Sequence, residues 1–490
     1  MGTLIFGGVQ MQKKHRWQNL LVLVCFLAAS LCLLMRPIND LDEIWNYNFG
    51  YNMCGGLTPY ADFNCIVTPL SFFVSGAILG VFGKSLLVFR LLGAGLLTAV
   101  FYLLFLLLCA CGKNRVLAFV GAAFAFALYY LVWIYNYNNL NLLLILAAMG
   151  MELRIESAPE KKNAMFHIMA GLVYGLIFAT KQSIGALMLV YNGVLCAYLW
   201  FVFPKDRQIC LLRFAASVVP VLTLAVYLWS VGAVAAFWDY AVAGIGTFDH
   251  FMSYSAFLRE DAACLVIGLL PLAITAVSIY TIKKGTSAIS RRFHILSLII
   301  SWLGMSVAYP LCDYMHMCIA VVPFLVCGFC CIPSVTLKRF ESVICILVAL
   351  AVFVTAGVQD FNAARLCTVS KLRGYEGLPI DQSIENHIEE VDEYIVNQQE
   401  EGRQVLIADS MAAIYLLPLD IYYKDFSLLN GGNLGSQSVE KLLWRNAAIY
   451  LVGGSQILKS KQECTELIGY ITTHYSKIGE VSGFDIYQAQ

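Results

Sequence analysis

Apolar and polar positions change along this chain on the scale of whole helices. Long hydrophobic runs fill residues 18–357, separated by short connectors that carry Lys13, Lys14 and Arg16; Lys113 and Arg115; Arg154, Lys161 and Lys162; Lys205, Arg207 and Arg213; Lys283, Lys284, Arg291 and Arg292; and Lys338 with Arg339. A bilayer core of about 30 Å takes about 20 helical residues. The runs therefore predict spans near 18–35, 91–110, 116–134, 139–153, 165–180, 184–203, 211–231, 262–282, 293–311, 317–333 and 341–357. Translocating Lys and Arg is costly, so cytoplasmic loops retain them, which places all six basic clusters inside. Eleven spans follow, with an inside N-terminus (residues 1–17) and an outside C-terminus. No small-residue cleavage motif follows the first run, which ends at Met35-Arg36-Pro37 and reads as an uncleaved span.

Three stretches depart from this rhythm. Residues 69–83 are apolar but short and carry Ser71 and Ser75. Were they to cross, every later basic cluster would move outside, so they read as an interfacial helix on the outer face. Lys181 interrupts apolar sequence at the outer end of one span, where a charge usually faces a cavity or a partner. From residue 358 onward charges become frequent. A helical pattern over 381–400 puts Ile384, Ile388, Val391 and Ile395 on one face. Strand patterns at 405–408 and 448–452, a helix over 464–475 and a terminal hairpin at 477–481 and 484–487 complete a small α/β domain at 358–490. The fold expected is mainly α: a polytopic bundle of about eleven membrane helices over 18–357, an outer interfacial helix, and an extracytoplasmic α/β domain.

Composition agrees with that class. The chain is 60% hydrophobic and 13% charged, against about 25% charged in soluble domains, and its mean hydropathy is +0.72. Net charge is zero and no basic tract suggests nucleic acid. Most of the 17 cysteines, Cys25, Cys109, Cys196, Cys327 and Cys345 among them, lie inside apolar runs and act as small hydrophobes. Cys54 and Cys65 share the outer loop 36–90, where a disulfide is one option.

Chemistry collects in that loop. Asp40, Asp42 and Glu43 follow the first span directly; then come Gly56-Leu57-Thr58-Pro59-Tyr60, Asp62, Pro69, Phe82-Gly83 and Arg90. A carboxylate there can take a proton from a hydroxyl nucleophile, and Lys181 and Arg90 can neutralise a departing phosphate. Asp313 and His316, three apart in a tight outer turn, can face one another. A second outer loop over 232–261 offers an Asp249-His250 pair, and the glycine-rich run 430–435 reads as a loop, since it does not open a helix after a strand.

In order and spacing these elements resemble the GT-C superfamily of integral-membrane glycosyltransferases, in the branch of protein O-mannosyltransferases and lipid A aminoarabinose transferases. The shared pattern is an acidic pair after the first span, a Gly-x-x-Pro-Tyr stretch, a Pro-led segment ending Phe-Gly, and an Arg opening the next span. It covers residues 20–200; the rest matches in architecture alone. The resemblance implies a polyprenyl-phosphate sugar donor, with Asp42 as base and Glu43 as the adjacent acid. The expected enzyme moves a sugar to a hydroxyl of a glycan, lipid or protein acceptor, probing outward from a bacterial plasma membrane. Lys181 and Arg90 are the candidates for the donor phosphate; Asp40, Tyr60, Asp62, Asn139, Asp313 and His316 are those for sugar or acceptor.

Two departures accompany the resemblance. Thr68-Pro69-Leu70 stands where relatives often have a charged residue before a Pro-Pro pair. Asn136, Asn138, Asn139 and Asn141 occupy an outer turn where many carry an acid. Asparagine binds sugar hydroxyls but does not replace a carboxylate toward a metal, so no cofactor is assigned and the case for a divalent metal is weakened. The alternatives are a lipid or polysaccharide transporter, disfavoured because ionisable residues crowd the membrane edges, and a decayed transferase that only binds.

Overall fold

The computed structural model describes residues 8–111, 114–128, 130–157, 160–243, 252–286, 289–332, 339–409, 411–422, 424, 447–453 and 465–488. Each predicted span coincides with a helix. After α1 (Gly8–Met35) come two helices in the loop, α2 (Leu41–Cys54) and α3 (Leu70–Phe82). The bundle continues with α4 (Leu86–Ala110), α5 (Arg115–Leu128), α6 (Tyr137–Ser157), α7 (Glu160–Thr180), α8 (Gln182–Val202) and α9 (Arg207–Ser230). Short helices α10 (Val234–Phe237) and α11 (Tyr254–Phe257) precede α12 (Ala262–Lys284), α13 (Arg291–Gly304), α14 (Tyr314–Cys331) and α15 (Arg339–Ala364). Side chains that accept from orphan first-turn amides set several of the starts: Asp40 for α2, Ser85 for α4, Asp261 for α12 and Asp313 for α14.

The protein is a multi-pass membrane protein. Among the described residues five helices, α4, α8, α9, α12 and α14, are long and apolar enough by themselves to cross a bilayer. Val190, Phe201 and Trp229 lie 66%, 76% and 77% exposed on the bundle perimeter, a surface suited to lipid. Inside, α7 and α9 approach closely because Gly171 and Gly175 carry no side chain. A Cβ at these positions would lie 2.1 Å from the Arg213 carbonyl and 2.4 Å from the Ser217 carbonyl, the small-residue contact that lets membrane helices meet backbone to backbone.

That close crossing buries a charged network. Arg213 on α9, 0% exposed, gives Nε to Asn192 Oδ1 at 2.7 Å and Nη2 to Glu152 Oε1 at 2.5 Å. Tyr174 Oη donates to the same Glu152 oxygen at 3.0 Å. Arg213, expected among loop cations, is thus a core residue, its lost hydration compensated by Glu152, Asn192 and the Tyr174 ring.

The turns α1–α2, α5–α6, α7–α8 and α13–α14 converge at one end of the bundle. Arg36 reaches the carbonyls of Tyr130 and Trp133, Gln182 holds Thr68 and Ile66, and Lys181 reaches the Val307 carbonyl. The C-terminal segment packs onto this end. It contains β1 (Thr368–Val369), β2 (Pro379–Ile380), α16 (Gln382–Glu400), β3 (Gln404–Ala408), α17 (Ala412–Leu416), β4 (Ala447–Val452), α18 (Thr465–His474), β5 (Ser476–Val481) and β6 (Phe484–Gln488). Its four-stranded sheet runs β3-β4-β6-β5, parallel between β3 and β4 and antiparallel elsewhere. One apolar core joins this segment to the loop: Ile44, Tyr47, Phe72 and Phe89 cluster with Tyr375, Ile388, Tyr415 and Phe484. The loop helices α2 and α3 are therefore packed between bundle and sheet.

Breaking a buried ion pair from one side costs about 3–5 kcal/mol, because the surviving charge stays desolvated. Arg213→Met should lower the detergent melting temperature strongly, and the Glu152→Gln/Arg213→Met double variant should recover most of the loss. Equal losses in both would show that the network is not energetically coupled.

Candidate active site

The site begins with how α2 is held. Asp40 caps it, accepting from the Glu43 amide at 3.0 Å, a side-chain N-cap that satisfies a first-turn donor. Successive helical residues point about 100° apart, so Asp42 and Glu43 face different surroundings. Glu43 turns into the protein and meets Arg90 of α4 in a two-pronged pair, Nε–Oε1 2.9 Å and Nη2–Oε2 2.7 Å, with both residues 1% exposed. Arg90 also gives Nη1 to the Arg36 carbonyl at 2.5 Å and Nη2 to that of Pro37 at 3.5 Å. Glu43 and Arg90, expected at the catalytic step and the donor phosphate, have their polar atoms occupied by each other and by backbone.

Asp42 faces elsewhere. It is half-buried, with protein packed around its carboxylate. Burial pushes its carboxyl above the ordinary range, Asp313 adds to that, and His316 and Lys181 oppose it. Three candidates drawn from distant parts of the chain thus gather electrostatically around Asp42. Lys181 lies in extended backbone between α7 and α8. Its Nζ donates to Asn138 Oδ1 at 3.1 Å and to the Val307 carbonyl at 3.0 Å, and sits 5.4 Å from the Tyr137 ring centre. Of its three N–H groups, one has no hydrogen-bond partner among the described residues. Burial lowers Lys181 to about 8 against the pull of Asp313 and Asp42.

Asp313 caps α14 and binds His316 twice, accepting from its amide and its Nδ1, each at 2.8 Å. Burial alone would raise the Asp313 carboxyl, but the His316 contacts outweigh it and the net shift is downward. Asp313 therefore stays ionised, and His316 donates through Nδ1.

The remaining candidates are built into the scaffold. Asp40 is the helix cap, and burial followed by repulsion from Asp42 and Glu43 raises it to about 6. Tyr60 adopts φ +67, with its hydroxyl on the Val67 carbonyl at 2.6 Å and its ring against Phe237. Asp62 accepts from the Thr58 amide at 2.7 Å. Asn139, fully buried, donates to the carbonyls of Val132 and Ile134 at 2.7 and 2.8 Å. Its neighbour Asn138, not singled out from sequence, is the asparagine that reaches Lys181. Gln182, also missed, clamps the loop through Thr68, Ile66 and Ala241. Cys54 and Cys65 are unbridged. Among the described residues no three His, Cys, Asp or Glu side chains are placed to hold a metal. Asp249, His250 and the glycine-rich run lie outside the described residues.

The chain shares its fold with the solved structures of ArnT and of the arabinofuranosyltransferase AftD. ArnT from Cupriavidus metallidurans in the apo state superposes with a TM-score of 0.60 at 14% identity, over 97% of this chain and 98% of that one. The same protein bound to undecaprenyl phosphate gives 0.52 at 12% identity, over 96% and 97%. The arabinofuranosyltransferase AftD from Mycobacteria gives 0.53 at 14%, and this chain spans 97% of itself but 40% of AftD. No protein-family model matches the chain, and no curated protein matches it by sequence.

Glu43→Ala would leave Arg90 charged, buried and partly unpaired, at a cost of about 3–5 kcal/mol. Thermal unfolding in detergent should fall well below wild type. If the variant melts with wild type, the pair does not hold α2 in place.

Proposed function

We propose that the protein transfers a sugar from a polyprenyl-phosphate donor to an acceptor hydroxyl, with Asp42 as the base. The observation that carries this reading is a desolvated carboxylate, Asp42, within electrostatic reach of Lys181, one of whose three N–H groups has no hydrogen-bond partner among the described residues. The GT-C fold and the undecaprenyl phosphate bound to ArnT support a lipid-linked donor. In this reading residues 18–357 form the membrane unit and 358–490 an extracytoplasmic domain. The recess opens at the extracytoplasmic end, opposite the basic connectors, in a bacterial plasma membrane.

Charge bookkeeping favours these roles. The acceptor oxygen forms its bond to the anomeric carbon as that carbon's bond to the phosphate oxygen breaks, with inversion, and the hydroxyl proton moves to Asp42. Asp42 loses its negative charge while the departing phosphate monoester gains one. Lys181 partners Asp42 before the step and the phosphate after it, so little charge is left uncompensated in a recess of low dielectric. Glu43 and Arg90 act by position: their pair fixes the α2 register that aims Asp42 at the recess. Asn138 orients Lys181. The acceptor is a hydroxyl of a glycan, lipid or protein.

Transfer of radiolabelled sugar from a panel of polyprenyl-phosphate sugars tests the reading. Asp42→Asn should lower transfer about 10²–10⁴-fold, the usual range for losing a general base, while keeping the wild-type melting temperature. Undiminished transfer would remove Asp42 from the chemistry. The pH profile should be bell-shaped. Asp42 must be ionised, and its raised pKa places the acid limb above the ordinary carboxylate range. Lys181 must be protonated, so activity should fall as pH rises through about 8. Lys181→Met should abolish that alkaline limb along with most of the activity.

A further inference from the structure

The asparagine-rich turn that opens α6 does more than supply Asn138. Asn136 accepts from the Asn139 amide at 2.7 Å, a side-chain cap of the kind that starts a helix, and Asn139 ties the turn back to the carbonyls of Val132 and Ile134. Together they fix Tyr137 as the first residue of α6. Its ring centre lies 5.4 Å from Lys181 Nζ, within the distance at which an aromatic face holds a cation. Asn138, next in the chain, joins the two: it hydrogen-bonds the Tyr137 hydroxyl and accepts from Lys181 Nζ at 3.1 Å.

Lys181 is buried without a direct counter-ion. Asp42 of α2 and Asp313 of the α14 cap act on it through space, yet neither forms an ion pair with it among the described residues. Its direct partners are two neutral oxygens, of Asn138 and Val307, and the Tyr137 ring. Buried charges are ordinarily paired, but a carboxylate against Nζ would repel an incoming anion and could take the ammonium proton. An aromatic face does neither. It attracts the cation through its quadrupole, carries no net charge and uses none of the N–H groups. Tyr137 stays neutral in this position, because burial, then Asp42 and Asp313, hold its hydroxyl well above the ordinary tyrosine range.

We propose that Tyr137 is the positioning residue for Lys181, its ring standing in for a counter-ion so that the ammonium stays charged beside Asp42 and remains available to an anion. The use made of that charge rests on the transferase reading above; the hold of the ring on the ammonium does not. The four asparagines at this turn then build and link a seat for the ring.

The test reads the charge of Lys181 directly, on the full chain in lipid nanodiscs. Competitive acetylation with acetic anhydride across a pH series, followed by mass spectrometry of the Lys181 peptide, gives the midpoint at which the amine loses its proton. Wild type should titrate at about 8. Tyr137→Leu removes the ring and should lower that midpoint by about one pH unit, the worth of a desolvated cation–π contact. Tyr137→Met should give the same shift while filling the space with a flexible chain, and melting temperatures show which of the two is folded. Tyr137→Phe keeps the ring face and should titrate with wild type. An unmoved or raised midpoint in the ring-less variants overturns the proposal and leaves the roles of Asp42 and the donor intact. Equal falls in Tyr137→Phe and Tyr137→Leu overturn it too, by assigning the effect to the hydroxyl. If the midpoints shift as expected while Lys181→Met transfers sugar as well as wild type, the role of the ring stands and Lys181 falls as the phosphate partner.

Discussion

Glu43 and Arg90 are withdrawn from water at the point where the loop meets the bundle, and the geometry of this protein turns on how that cost is met. Each needs the other, and Arg90 needs the carbonyls of Arg36 and Pro37 besides. Those four contacts tie the end of α1, the first turn of α2 and the first turn of α4 into one joint. A two-pronged pair tolerates little rotation, so it fixes α2 about its own axis as well as along it. Asp42, one residue earlier, is aimed as a consequence.

The recess works by setting two desolvated groups against each other. Burial alone pushes Asp42 toward its neutral form and Lys181 toward its own, and the attraction between them restrains both shifts. The result is a carboxyl held above its ordinary range beside an amine lowered to about 8, the opposed shifts that mark acid–base sites. Water could not produce that state, since it would screen the pair and solvate each partner separately. The enclosing wall is supplied from three directions, by the α5–α6 turn, the α7–α8 turn and the α13–α14 turn, and the sheet packs behind α2 through Tyr375, Ile388 and Tyr415. At mid-bundle Arg213 and Glu152 solve a similar problem for a different end, holding α6, α8 and α9 together where glycines let α7 and α9 touch.

Much of the fold was legible in the sequence because its signals are local. Apolar length placed the helices, the short Pro69-led segment emerged as α3, and the C-terminal helix and strands fell within a residue or two of expectation. The proposed site was legible in part: Asp42, Lys181, Asp313 and His316 were all named, and the last three act electrostatically on Asp42. The misassignments were of facing. Glu43 and Asp42 are adjacent in sequence but about 100° apart on a helix, and nothing local says which of them meets the arginine. Asn138 and Asn139 present the same ambiguity in the first turn of α6: one reaches Lys181, the other seals backbone carbonyls.

What the sequence determined by itself was therefore the class of the protein and its list of parts: hydropathy compels membrane helices, basic connectors pair them, and Asp40 announces where α2 starts. Those properties depend on a residue and its near neighbours. Only the tertiary structure decided which charges are spent and which are available. Arg213 and Arg90 carry the same charge in the sequence as Lys181, yet both are paired with carboxylates from other helices, whereas Lys181 has one N–H without a hydrogen-bond partner among the described residues. Charge interactions in a low-dielectric interior depend on distance and on what water remains. Both are properties of segments brought together by folding, from 47 residues apart for Glu43 and Arg90 and from 61 for Glu152 and Arg213.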